Sequence, residues 1–262
     1  MINIIKLTFF LLCFSISGIA QNNPNINQWD QAGQKHGIWI NKYPNGNIRY
    51  KGTFKHGTPV DTFKRYHPNG NLMAVMDYTR NGKVYATLYN KKGKKRARGT
   101  YVDKKKDSTW GFYDDRGNLI LQEYYKMGKR KGRSVKFFPN GDTSQIITYD
   151  QGKKDGIFKQ FFPNGRLKLL AQYKNGELDG YITFFSPNGY KAIEGLYRDN
   201  LREGKWVYYK DSSTDTAKII QYEGGVPLNK DSMELEESKE IIKLENNQGK
   251  YGDPRQELMP SY

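Results

Sequence analysis

Cysteine is all but missing from this sequence: Cys13 is the only one, and it lies in an apolar segment at the N-terminus. Everything after it must do without a disulfide, a thiolate metal site or a cysteine nucleophile. Histidine is nearly as scarce, with only His36, His56 and His67, which leaves little material for a catalytic triad or an imidazole-rich metal centre. Beyond Ile16 no long apolar run occurs, so no later segment reads as a membrane-spanning helix. Phosphate-binding loop, dinucleotide fingerprint and nucleophile elbow are all absent. The acidic pairs Asp114-Asp115 and Glu236-Glu237 fall at a turn and in an acidic tail, and neither stands opposite a second carboxylate as glycoside hydrolysis would need. These absences point to a chain that is not an enzyme and carries no cofactor.

The N-terminal segment has an order of its own. Lys6 is followed by an apolar run from Leu7 to Ile16 and then by Gly18-Ile19-Ala20 ahead of Gln21. That succession of a basic residue, a short apolar stretch and a small-residue site is expected of a cleaved export signal over residues 1–20. Leu11 and Leu12 before Cys13 are too large for a lipoprotein site. Export to the periplasm, the envelope or the cell exterior is therefore expected, with no membrane-spanning segment left after cleavage.

Charge is plentiful and uneven. The formal net charge is +16, yet residues 227–262 hold five Lys or Arg against eight Asp or Glu, so the positive excess belongs to the body of the chain. A basic body favours an anionic partner.

In place of a catalytic signature the sequence has a period. Gly46, Gly70, Gly93, Gly117, Gly141, Gly165 and Gly189 are spaced by 24 residues, with one step of 23, and Ser213 takes the eighth place. Five of these places are the third residue of Pro-Asn-Gly, beginning at Pro44, Pro68, Pro139, Pro163 and Pro187. Proline presets the first central residue of a type I turn, and glycine supplies the left-handed residue that closes a bulged hairpin. Counting back nine residues, the units begin at Gly37, Asp61, Val84, Ser108, Gly132, Gly156, Gly180 and Gly204.

Alternation follows each turn, as in Leu167, Leu169, Ala171 and Tyr173, which describes a strand with one covered face. The eighth residue after the turn glycine is aromatic in the first seven units: Phe54, Tyr78, Tyr101, Tyr125, Tyr149, Tyr173 and Tyr197. Tyr222 arrives one place late, so the eighth hairpin should carry a one-residue insertion. Before the turn, bulky residues recur two places after the unit start (Trp39, Phe63, Trp110, Phe158, Trp206) and five places after it (Tyr66, Tyr113, Phe161). Two and five cannot share a face of an unbroken strand, so either a bulge separates them or aromatics cover both faces.

The pattern running from Gly156 through Phe158, Phe161, Pro163-Asn164-Gly165 and Leu167 to Tyr173 resembles the variant MORN repeat of exported bacterial proteins, and the resemblance covers about residues 37–226. Related bacterial chains are often catalogued as YwqK-type antitoxins, and eukaryotic MORN arrays imply membrane association and scaffolding. The fold expected is all-β: an elongated single antiparallel sheet of eight tandem hairpins, about 16 strands at about 4.8 Å each, over residues 37–226. Residues 21–36 read as an N-terminal leader, loose over its first ten. Asp231-Ser232-Met233-Glu234 resembles a capping box that opens a short C-terminal helix through about Asn246 within the acidic segment 227–262.

Small residues such as Gly52, Gly99, Ala171 and Gly195 offer sockets for the aromatics of neighbouring units. His36 and His56 fall in connectors and His67 before a turn where Tyr43 and Phe138 stand elsewhere, so the histidines read as ordinary substitutions within the repeat, with no metal role. Clusters of basic residues break the monotony: Lys91 to Arg98 around the third tip, and Lys104, Lys105, Lys106, then Lys129, Arg130, Lys131, then Lys153 and Lys154 in successive connectors. If units stack in register, those last eight form one stripe able to hold an anionic ligand. The expected function is a binding or scaffolding module for a protein partner or an anionic envelope surface. Neutralisation of a toxin, and glycan binding, are the alternatives, and export leaves little room for nucleic acid.

Overall fold

The computed structural model describes residues 25–211 and 213–228; the expected export signal and the expected helix from Asp231 lie outside the described residues. Among the described residues nineteen strands form one sheet. Sixteen of them build the eight expected hairpins. The others are Gln28–Trp29 ahead of the first hairpin, Val226–Pro227 after the last, and Glu177–Leu178, which precedes Gly180–Phe185 in the seventh. Successive strands pair antiparallel along the chain, so spatial order is chain order. Tips line one edge of the sheet and connectors the other. Among the described residues no helix is long and apolar enough to cross a membrane.

The sixth hairpin, Lys153–Phe161 with Leu167–Lys174, stands for the rest. Gly165 N–H donates to Phe162 O at 2.9 Å and Phe162 N–H to Arg166 O at 2.8 Å, with Gly165 at φ +79°. This is a type I turn closed by a glycine bulge, as Pro-Asn-Gly dictates. Beyond it Phe161 pairs with Leu167 but Gln160 with Leu169, leaving Lys168 as an extra residue on the returning strand. The same offset recurs in all eight hairpins. The outgoing strand is unbroken between places two and five, so Phe158 is buried on one face and Phe161 half-buried on the other. Aromatics do cover both faces.

Each late aromatic pairs with the first residue of its own unit: Gly132 with Tyr149, Gly156 with Tyr173, Gly180 with Tyr197, and, across the insertion, Gly204 with Tyr222. In the eighth hairpin Lys210 N–H reaches Asp215 O, one residue further than at the other tips, which absorbs the late tyrosine. Seven of the eight unit starts have positive φ, and all of these but Gly37, which opens the first hairpin, begin a bulge against the preceding hairpin; Val84 does neither. The second and third hairpins pair without a register shift, and a longer turn from Thr79 to Lys83 replaces the two-residue connector. That exchange accounts for the single step of 23.

The aromatic column and the residues at place two share the covered face. Phe63 lies over Gly52 and Trp110 over Gly99, in each case on the preceding hairpin. Tyr101 meets Trp110 edge-on at 4.9 Å and Phe158 meets Tyr173 at 5.8 Å, the arrangement that ring quadrupoles favour. The core has two parts. One runs from Trp39 to Tyr125 and the other from Ile147 to Tyr222. Between them Glu123 pairs with Ser134, both buried, where the other units place apolar residues or glycine, such as Ile147 with Phe158 in the next interface.

Residues 25–34, read from sequence as part of the leader, form an abbreviated unit. Gln28 pairs with His36 and Trp29 with Lys35. Trp39 donates its Nε1–H to Gln28 O at 3.0 Å, just as Trp110 does to Thr100 O and Trp206 to Leu196 O in the preceding hairpins. Trp29 meets Trp39 edge-on at 4.8 Å, so it occupies the place of the late aromatic. This piece covers the first edge of the sheet, which would otherwise offer unpaired backbone groups.

Candidate anionic-ligand edge

Most connectors are two-residue turns with both residues at positive φ: Asp103 and Lys104 at 49° and 61°, Met127 and Gly128 at 48° and 86°, Gln151 and Gly152 at 47° and 89°. Such turns match the twist of the strands they join. They also dock on one another. Gly128 N–H donates to Lys106 O at 2.7 Å, Gly152 N–H to Arg130 O at 2.9 Å, and Gly176 N–H to Lys154 O at 2.7 Å. The basic residues of the fourth, fifth and sixth units therefore follow one another along a single edge.

They divide into two sets by direction. Lys104, Lys105, Lys129, Lys131 and Lys153 are exposed. Lys106, Arg130 and Lys154 fold onto the aromatic column: Lys106 Nζ is 4.7 Å from the Trp110 ring and 5.2 Å from that of Tyr125, the Arg130 guanidinium 3.9 Å from Tyr149, and Lys154 Nζ 4.6 Å from Tyr173. Burial lowers the Lys154 pKa from its usual value, and repulsion from Arg130 and Lys136 adds to that. Arg130 also lies 3.7 Å from the buried Glu123 carboxylate, which accepts the Tyr125 hydroxyl at 2.5 Å.

The inward set belongs to a column that sequence reasoning missed. Two residues before the unit start stand Lys35, Lys106, Arg130, Lys154 and Arg202, each over aromatic rings of the covered face. The signal was present, since those five share one place in the period. It was hidden in the middle units because exposed lysines stand beside Lys106, Arg130 and Lys154.

Acids temper the edge without cancelling it. Asp107 accepts Met127 N–H at 3.2 Å and lies 3.7 Å from Lys126 Nζ. Lys131 reaches Asp150 at 3.6 Å, both exposed, a contact of little energetic consequence. The histidines separate: His67 is on the tip edge with Nε2 3.2 Å from Tyr89 O, while His36 and His56 meet Asp30 at the start of the connector edge. That trio is the one group among the described residues with the donor set and spacing to hold a metal ion.

Short stretches of the sheet superpose on parts of larger solved proteins. One is a mutant of S. aureus TarM in complex with Fondaparinux, alpha-GlcNAc-glycerol and UDP, 12% identical over 36% of this chain and 19% of that chain at a TM-score of 0.29. Another is the GtfA/B complex bound to UDP and GlcNAc, 13% identical over 44% of this chain and 22% of that one at 0.21. The chain thus spans about a fifth of these proteins, and scores so low carry no functional argument. No curated protein matches the sequence. The family model for the MORN repeat variant matches residues 35–56, 62–80 and 154–175. Those stretches fall in the first, second and sixth hairpins, and the remaining hairpins repeat their turn, bulge and aromatic register. Three hairpins of this chain thus match the MORN repeat variant, and the tandem array is built on that unit.

Proposed function

We propose that this chain is an exported, non-enzymatic binding module whose connector edge docks on an anionic surface of the cell envelope. The observation that carries this reading is the exposure of Lys104, Lys105, Lys129, Lys131 and Lys153 on consecutive, hydrogen-bonded connectors of one edge. Neighbouring connectors lie about two strand spacings apart, roughly 10 Å, comparable with the screening length of about 8–10 Å at moderate salt. Their fields add, and an anionic polymer or leaflet held there gives up several counterions together, so binding weakens steeply as salt rises. A rigid sheet serves this purpose because it holds the charges in line at no further cost in chain entropy.

The test replaces the five lysines by glutamine and compares the variant with one in which five exposed lysines elsewhere, Lys42, Lys51, Lys64, Lys91 and Lys205, are replaced. Retention on vesicles of anionic phospholipid is measured across a salt series. Loss confined to the first variant supports the edge as the site. Equal loss from both means that net charge alone causes retention and removes the reading.

A further inference from the structure

We propose that Asp30, His36 and His56 form a binding site for a borderline-soft divalent transition ion, which clips residues 25–34 onto the first hairpin. One ligand atom from each residue lies within 4.8 Å of the other two. Tetrahedral zinc, with bonds of about 2.0–2.1 Å, needs such atoms about 3.4 Å apart, a gap that small rotations of two exposed imidazoles close. Two histidines and one carboxylate suit zinc and its neighbours rather than calcium or magnesium, which prefer all-oxygen shells.

The three backbones are already fixed. His36 lies in the strand Lys35–Lys42, paired with Gln28. His56 is the first residue of the first connector, at φ 46° beside Gly57, and Gly57 N–H donates to Lys35 O at 2.9 Å. Asp30 opens a small loop closed by its own N–H to Gln34 O at 2.8 Å and by Gly33 N–H to Asp30 O at 3.0 Å. One Asp30 oxygen, Oδ1, accepts the N–H groups of Ala32 at 3.0 Å and Gln34 at 2.8 Å. Oδ2 is thereby turned to His56 Nδ1, 2.7 Å away. A carboxylate oriented by its second oxygen is what outer partners of metal ligands provide. The His36 and His56 rings stand with centroids 5.1 Å apart.

The location gives the ion a task. Asp30 belongs to the abbreviated unit and His56 to the far side of the first hairpin, so an ion shared between them joins the cap to the array. Three protein ligands leave a fourth position for water or for a donor from a partner.

Zn2+ titration of the chelator-treated chain tests this, with His36→Ala, His56→Ala and, as a control, His67→Ala. The expected result is one tightly held equivalent, weakened at least about tenfold by either of the first two substitutions, since loss of outer partners alone costs that much, and unchanged by the third. Because an ion that binds only the folded chain stabilises it by mass action, a given Zn2+ concentration should also raise the melting temperature of the unsubstituted chain and of His67→Ala more than that of His36→Ala or His56→Ala. All substituted side chains are exposed or half-buried, so the variants keep the fold. Failure of the unsubstituted chain to retain Zn2+, or weakening below tenfold in either variant, overturns the proposal and leaves His56 and Asp30 as a plain hydrogen-bonded pair.

Discussion

Trp206 lies flat against Gly195: a Cβ built on the glycine would stand 2.2 Å from Trp206 Cδ2 and 2.3 Å from Cε2. The indole is fully buried, held by its Nε1–H to Leu196 O at 3.2 Å and edge-on to Tyr197 at 5.1 Å. It has nowhere to retreat.

Gly195→Ala should therefore destabilise the last two hairpins by overpacking, on the order of 1–3 kcal/mol. Combined with Trp206→Leu, which vacates the ring's place, the cost should fall well below the sum of the two single changes. Denaturant melts of the four chains in this cycle measure it, and strict additivity would count against the contact.

Gly165 is constrained for a different reason. A Cβ there meets nothing within 4 Å, but the backbone is at φ +79°. Gly165→Val should cost about 1–3 kcal/mol through backbone strain alone, while Lys168→Ala, at the adjacent bulge, removes a half-buried stem whose ammonium lies 5.5 Å from the Phe162 ring and should cost less, under about 1 kcal/mol. Amide exchange within the sixth hairpin separates the two, because a repeat array loosens locally before it unfolds globally.

The period, the turn type and the covered face were legible because each rests on residues with few alternatives: Pro-Asn-Gly at the tip, an aromatic eight places on, glycine under a ring. The insertion could be read from the lateness of Tyr222. What was hidden depends on direction. Lys106 and Lys105 look alike in sequence, and only the alternation of the strand sends one over Trp110 and the other to solvent. Gln28 and Trp29 could not be recognised as a partial unit, since two residues carry no period. Asp30, His36 and His56 become neighbours only through the stacking of one connector on the next.

Acid should loosen the connector edge. Asp107 is buried, and its carboxyl is held below the usual value first by Met127 N–H and further by the Ser108 hydroxyl and Lys126. A carboxyl depressed in the folded state stabilises the fold above its unfolded pKa, about 3.9, and that contribution disappears as pH falls through the lower folded value. Denaturation midpoints should drop below about pH 4, and Asp107→Asn should flatten part of that decline. An unchanged profile would show that the carboxylate adds no stability there.

The seam between the two cores makes the most demanding prediction. In the last two hairpins Gly195 receives Trp206, with Arg202 lying 5.0 Å over the ring. The equivalent places between the fourth and fifth are Glu123, Ser134 and Arg130, and there the apolar core is interrupted. Nearest-neighbour interfaces set the stability of a repeat array, so this interface should be the weakest internal one and should show the fastest amide exchange away from the ends. Replacing Glu123→Gly together with Ser134→Trp rebuilds the socket-and-ring pair under the same arginine. Burying the indole is worth about 1.5–3 kcal/mol by analogy with other large apolar side chains, and the change also removes a buried carboxylate. The double variant should melt at higher temperature and exchange more slowly on both sides of the seam. Ser134→Trp alone should destabilise, because Glu123 still occupies the socket. A double variant no more stable than the unsubstituted chain would mean that the polar pair already closes the interface as well as a ring does.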